Sequence, residues 1–220
     1  MVRLSHSAIY AALISVALLG LSFSYAFAPE ATANRQYTGP NHMFTVNIPS
    51  SQNFAGVPYT ITALDTKGDK QYDKALFHVD DFGEYLVAGV RAMPSPAVSE
   101  MDQDEPRTVL RNLSQATLMG WRTDLSALPD VARESFLDTK YGEAIVRVYR
   151  VKKGSILTRA QGRRPTGDDV FDTNIASVVA RQGPIVVFVL AQDDANPDEE
   201  SRVVRKATEL FNELRVLANR

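Results

Sequence analysis

A histidine beside carboxylates is the first pattern in this sequence that could carry chemistry, in His78-Val79-Asp80-Asp81. On an extended strand His78 and Asp80 share one side, and a neutral imidazole with carboxylate oxygens suits zinc or manganese. The same four residues also read as a strand end followed by an acidic, solvated turn, which needs no metal. His42 is the other histidine beyond residue 28, in a turn before the first strand. Ser50, Ser51, Ser95, Ser99 and Ser126 lie in polar or proline-containing stretches, and no Gly-x-Ser-x-Gly elbow selects one as a nucleophile. Asp168-Asp169, Asp193-Asp194 and Glu199-Glu200 pair carboxylates, but adjacent side chains point apart. They are expected to be solvated loop and helix-start charges, with the helix dipole reason enough for Glu199 and Glu200.

One basic concentration stands out. Lys152, Lys153, Arg159, Arg163 and Arg164 lie in or beside a stretch from Gly154 to Asn174 that reads as a long exposed loop. Arg159, Arg163 and Arg164 are the candidate binding residues, for an anionic polymer, a phosphate or lipid headgroups. Asp168, Asp169 and Asp172 offset them if the loop is merely solvated. Gly154, Gly162 and Gly167 do not match a phosphate-loop spacing, so nucleotide binding has no support. Trp121, Tyr141 and Tyr149 read as core or rim aromatics. No catalytic residue, metal ligand or cofactor is assigned.

Composition narrows the classes further. With 45% hydrophobic and 23% charged residues the 220-residue chain is globular in type, neither disordered nor collagen-like. The net charge of −2 provides no field that would gather polyanions, so nucleic acid is not expected as a partner. The chain has no cysteine, which excludes disulfides, a thiol nucleophile, a cysteine-ligated zinc and a lipid-attachment cysteine.

Residues 1–28 are expected to be a signal peptide or an N-terminal membrane anchor. Arg3 and His6 precede the apolar run Ala8 to Ala28. Ser24-Tyr25-Ala26, Ala26-Phe27-Ala28 and Ala31-Thr32-Ala33 place small residues at cleavage spacing, although Pro29 disfavours the second. As a helix the run would span about 30 Å at about 1.5 Å per residue, so an uncut anchor also fits. Either way the rest is exported, to the periplasm or facing it from the inner membrane, and touches membrane only through this segment if uncleaved. Residues 29–40 read as a linker, and 41–220 as a single α+β domain, long enough for one sizeable core and short for two.

The elements that must position any site follow from periodicity. Met43 to Ile48 alternates with period two and stops at Pro49, and Val57 to Leu64 repeats the type. Ala75 to Val79 and Glu84 to Met93 are two further strands. Pro94 and Pro96 end the sheet pattern, and Glu100 to Glu105 looks like an acidic loop. From Pro106 a helical face runs through Val109, Leu110, Leu113, Ala116, Thr117, Gly120 and Trp121, with Asp104 or Glu105 to cap it. Two hairpins follow, Glu134 to Val151 about Gly142 and Ile175 to Ala191 about Gly183. Ile185 to Leu190 is apolar without alternation, so it is expected to be central and covered on both faces. A last helix should begin at Asn196-Pro197 and bury Val203, Ala207, Leu210, Leu214 and Leu217. The expected fold is α+β, a mainly antiparallel sheet covered by helices.

That order resembles the PsbP-like fold, an α/β/α sandwich that includes DcrB-like bacterial envelope proteins. The resemblance rests on Phe44-Thr45-Val46-Asn47-Ile48-Pro49, the helix from Pro106, the hairpin Glu134 to Val151, the strand Ile185 to Ala191 and the helix after Asn196-Pro197, and spans Tyr37 to Asn219. Two features depart from it: Phe54 stands later than the aromatic residue usual after the first strand, and the DcrB-type lipidation cysteine is absent. The resemblance implies a non-enzymatic accessory or binding module for another envelope protein or a small or anionic ligand, and it transfers no functional residue. The alternative is a hydrolytic or metal-assisted envelope enzyme, tested first at His78, Asp80 and Asp81.

Overall fold

Strands with two buried faces organise this chain. The computed structural model describes residues 36–48, 59–64, 70–79, 84–121, 128–152, 172–193 and 199–217. Residues 1–28, the sites Asp80 and Asp81, and the arginine stretch with Arg159, Arg163 and Arg164 lie outside the described residues. In chain order the elements are β1 (Gln36–Thr38), β2 (Phe44–Asn47), β3 (Thr60–Ala63), β4 (Tyr72–Val79), β5 (Glu84–Ala92), α1 (Ser95–Met101) and α2 (Pro106–Trp121). They continue with β6 (Asp130–Thr139), β7 (Gly142–Lys152), β8 (Asp172–Gln182), β9 (Ile185–Asp193), α3 (Glu200–Glu213) and β10 (Leu214–Val216).

Seven strands form one antiparallel sheet in the order β3-β4-β5-β9-β8-β7-β6, and a small sheet has the order β1-β2-β10. The expected α+β architecture, an antiparallel sheet with helices packed against it, is the observed one. β9 holds the middle of the large sheet. Val187, Val189 and Ala191 join the core shared with Val203, Ala207, Leu210 and Phe211 of α3. Val186, Phe188 and Leu190, pointing the other way, join Val109, Leu110 and Leu113 of α2. A helix on each face is why this strand lacks a polar side. Tight two-residue turns close the hairpins β6–β7 and β8–β9, with Gly142 at φ 93° and Gly183 at φ 57°, where a side chain would be strained.

Four local expectations are corrected. Gln36–Thr38, inside the expected linker, pairs with β2 as β1. A short helix, Ser95–Met101, follows Pro94 and takes in Glu100 and Met101 of the expected acidic loop; Pro96 falls in its first turn, where the missing N–H costs nothing. The buried face of α2 is Val109, Leu110, Leu113, Ser114 and Leu118, while Ala116 and Gly120 are exposed. The last helix stops at Glu213 without a glycine or proline, and Leu214–Val216 becomes a strand against β2. The Tyr141 hydroxyl drives that change: it donates to the Leu214 carbonyl at 2.6 Å and accepts from the Val216 N–H at 3.3 Å. Backbone groups that a helix would have paired internally are satisfied by tertiary partners instead. Leu214 stays buried, whereas Leu217 is 36% exposed.

Asp73 of β4 ties the small sheet to the large one. Its side chain is fully buried, and Oδ2 accepts the Met43 N–H at 2.9 Å. The neighbouring Asn41 amide donates to the Tyr72 carbonyl at 2.7 Å. Burial pushes the Asp73 carboxyl above its ordinary range, against the opposing pull of the Met43, Asn41 and Lys74 hydrogen bonds and of His42. Folding therefore favours protonated Asp73: its contribution is complete below the unfolded-state pKa and is lost as pH rises through the folded-state value.

Two outcomes are expected. Leu118→Ala should cost about 2–5 kcal/mol in urea denaturation, whereas Ala116→Ser should stay within about 0.5 kcal/mol, and equal costs would contradict this assignment of the α2 face. Measured against Asp73→Asn, the melting temperature of the wild type should fall as pH rises through and above the ordinary carboxylate range. A wild type that gains on the variant over that range would show that Asp73 is not held protonated.

Candidate functional site

A cleft of about 370 Å³ lies between α1, α2 and the sheet. That volume is in the range of small-ligand sites, at its lower end. Its floor comes from register. Tyr72, Arg91 and Val186 are cross-strand neighbours on β4, β5 and β9, and Gly89 and Phe188 are neighbours two residues along. All of these except Gly89 line the cleft. Gly89 is required by close approach: a Cβ there would collide with the Phe188 ring and come within 2.8 Å of the Asp73 carbonyl oxygen. The Phe188 ring thus lies across bare backbone, its centroid 5.9 Å from that of Tyr72 at 53°, and the two rings make an aromatic base.

The walls are helical. α2 contributes Val109, Asn112, Leu113, Ala116, Thr117 and Gly120. A Cβ on Gly120 would meet nothing within 4 Å, so small residues on this stretch leave the space open. The facing wall is α1, which buries no residue of its own. The chain on either side of α1 is tethered: the Met93 N–H donates to the Pro184 carbonyl at 2.7 Å, and Asp102 pairs with Arg181 at 2.7 Å. Met93 and Met101 add flexible apolar surface inside.

Among the described residues, the charged groups lining the cleft are exposed ones at its rim. Arg91 on the sheet side is exposed, with its guanidinium 5.7 Å from the Tyr72 ring centroid, and the Lys74 ammonium lies 4.9 Å from the same ring. Glu100 and Asp104 stand on the helix side, both exposed. Among the described residues none of Arg91, Glu100 and Asp104 makes an ion pair. Among the described residues the cleft's lining holds no nucleophile beside a base, and no group of three metal-ligating side chains is found. Its chemistry is recognition: an apolar body inside, polar groups at the mouth.

Of the site candidates read from sequence, those among the described residues do not line this cleft. His78 is buried on β4, with Nε2 3.1 Å from the Thr62 hydroxyl, and does not line the cleft. Ser95 and Ser99 belong to α1, where the Ser99 hydroxyl donates to the Ser95 carbonyl. Trp121 is half-buried against the α2-side core. Asp193 is corrected: far from solvated, it is 2% exposed, lies opposite Glu84 across β5 and β9, and pairs with Arg202 at 3.4 Å. Glu84 in turn accepts from the Tyr59 hydroxyl, and burial together with that carboxylate pushes the Tyr59 phenol well above its ordinary range.

The cleft was missed because its residues read as core or loop. Ala116, Thr117 and Gly120 widen the apolar stripe of α2 beyond what the sheet covers, and Arg91 interrupts an otherwise buried strand. Those were the two available signals.

No protein-family model matches the sequence, and no curated protein matches it. The fold is similar to the solution structure of cyanobacterial PsbP from Synechocystis sp. PCC 6803, with a TM-score of 0.50 and 14% identity over 88% of this chain and 99% of that one. A crystal structure from Bacteroides thetaiotaomicron VPI-5482 aligns with a TM-score of 0.43 at 10% identity, over 86% of this chain and 50% of that one. The first likeness establishes a PsbP-like fold and nothing about activity. Among the described residues no helix is long and apolar enough to cross a membrane.

Gly89→Ala should displace the Phe188 ring from the floor. The expected cost is about 1–3 kcal/mol in chemical denaturation, with chemical-shift changes at Tyr72 and Phe188. A variant with unchanged stability and unchanged aromatic shifts would contradict the close approach.

Proposed function

We propose that this chain is a non-enzymatic, exported module of the cell envelope that holds a small, largely apolar ligand between α1, α2 and the sheet. The observation that carries the reading is the open, aromatic-floored cleft, lined by apolar side chains with charge confined to its rim. Apolar surface left open to water is unfavourable, and burying it against a ligand supplies the driving force. Export rests on the leader pattern of residues 1–28, which places the domain in the periplasm or at the periplasmic side of the inner membrane. The PsbP-like fold fits an accessory role. Arg159, Arg163 and Arg164 are proposed as a separate contact for an envelope protein or anionic partner.

The test is an NMR titration with the neutral probe 2-phenylethanol. Saturable shifts are expected at Met93, Met101 and Thr117. Gly120→Leu, which projects a side chain into free space, should weaken binding at least about tenfold while preserving the fold. Absence of saturable shifts at these residues would refute the cleft as a binding site.

A further inference from the structure

The mouth of the cleft has two lips of opposite sign. Arg91, with Lys74 beside it over the same Tyr72 ring, makes the sheet-side lip cationic. Glu100 and Asp104 make the helix-side lip acidic. Between the lips the base is aromatic and the walls are apolar, contributed by Met93, Met101, Val109 and Leu113. A purely anionic ligand would meet Arg91 but also the two carboxylates, and a purely cationic one would meet the reverse. Only a head carrying both charges complements both lips. Asp193 and Glu84, cross-strand neighbours at the end of β9 and β5 away from Arg91, are buried and engaged elsewhere: Asp193 pairs with Arg202, and Glu84 accepts from Tyr59.

Size narrows the class. A volume of about 370 Å³ lies at the lower end of small-ligand sites, which suits a small molecule rather than a long lipid chain. The exposed lips leave the charged head partly hydrated, so the desolvation penalty of a buried ion is avoided while the apolar body goes inside. From this arrangement we infer that the cleft accepts a small zwitterion with a large apolar or aromatic side chain, the chemistry of a free α-amino acid. Its carboxylate faces Arg91 and its ammonium faces Glu100 and Asp104. The inference rests on the cleft being a binding site and specifies what that site selects.

Four probes share one phenyl body: L-phenylalanine (zwitterion), 3-phenylpropionate (anion), 2-phenylethylamine (cation) and 2-phenylethanol (neutral). Titrated into the full chain at low salt and followed at Met93, Met101 and Thr117, L-phenylalanine should bind on the order of tenfold more tightly than 2-phenylethanol, each exposed charge contact contributing up to about fivefold. Arg91→Gln should weaken L-phenylalanine and 3-phenylpropionate without weakening 2-phenylethylamine. Glu100→Gln combined with Asp104→Asn should weaken L-phenylalanine and 2-phenylethylamine without weakening 3-phenylpropionate. Were L-phenylalanine to bind no better than 2-phenylethanol, or its affinity to survive both sets of changes, zwitterion selection would be wrong while the cleft stood as a binding site. Failure of all four probes to bind would remove the cleft reading and this inference together.

Discussion

The double burial of β9 is the constraint from which the rest of the architecture follows. A strand with Val187, Val189 and Ala191 on one face and Val186, Phe188 and Leu190 on the other is stable in water only between two apolar layers. Two amphipathic helices from the same chain supply those layers, α3 on one face and α2 on the other. Both sheet neighbours of β9, β5 and β8, are largely buried for the same reason, whereas the edge strands β3 and β6 are mostly exposed.

The cleft is a consequence of how unequally the helices cover the sheet. α2 seats Leu110, Ser114 and Leu118 toward β7 and β8, where the Ser114 hydroxyl meets Tyr149 at 2.6 Å and Ser177 at 2.8 Å. Its position is reinforced at the surface by Arg111, which pairs with Glu134 at 2.9 Å, while Glu134 also pairs with Arg147 at 2.6 Å. Held there, α2 leaves its Ala116, Thr117 and Gly120 edge beside β5 and β9 with the short α1 opposite. A buried hydroxyl network and an ion-pair cluster thus fix the helix, and the fixed helix leaves a space that its small residues do not fill.

Much of this frame was legible from residue patterns. The unbroken run Ile185 to Leu190 announced a central strand, and the hairpins were marked by Gly142 and Gly183. Val203, Ala207 and Leu210 recur at helical spacing and do face the sheet. Where the pattern misled, tertiary partners had replaced local ones. Asp193 beside Asp194 reads as a wet turn, yet a cross-strand neighbour and Arg202 bury it. Leu214 continues a helical stripe, yet the Tyr141 hydroxyl and β2 draw it into a strand.

Amino-acid order alone determined most of the strands, the two covering helices, and which strand must be interior, because burial periodicity is a local property of consecutive residues. It also set what chemistry is absent by composition, since a chain without cysteine has no thiol to offer. Only the tertiary structure decided where a ligand could enter. The cleft is assembled from Tyr72, Arg91, Met101, Gly120 and Phe188, residues far apart in sequence whose meeting depends on strand register and on the seat of α2. The strand register that sets Arg91 beside Tyr72, and the packing that leaves Gly120 uncovered, are long-range outcomes with no signature in neighbouring residues.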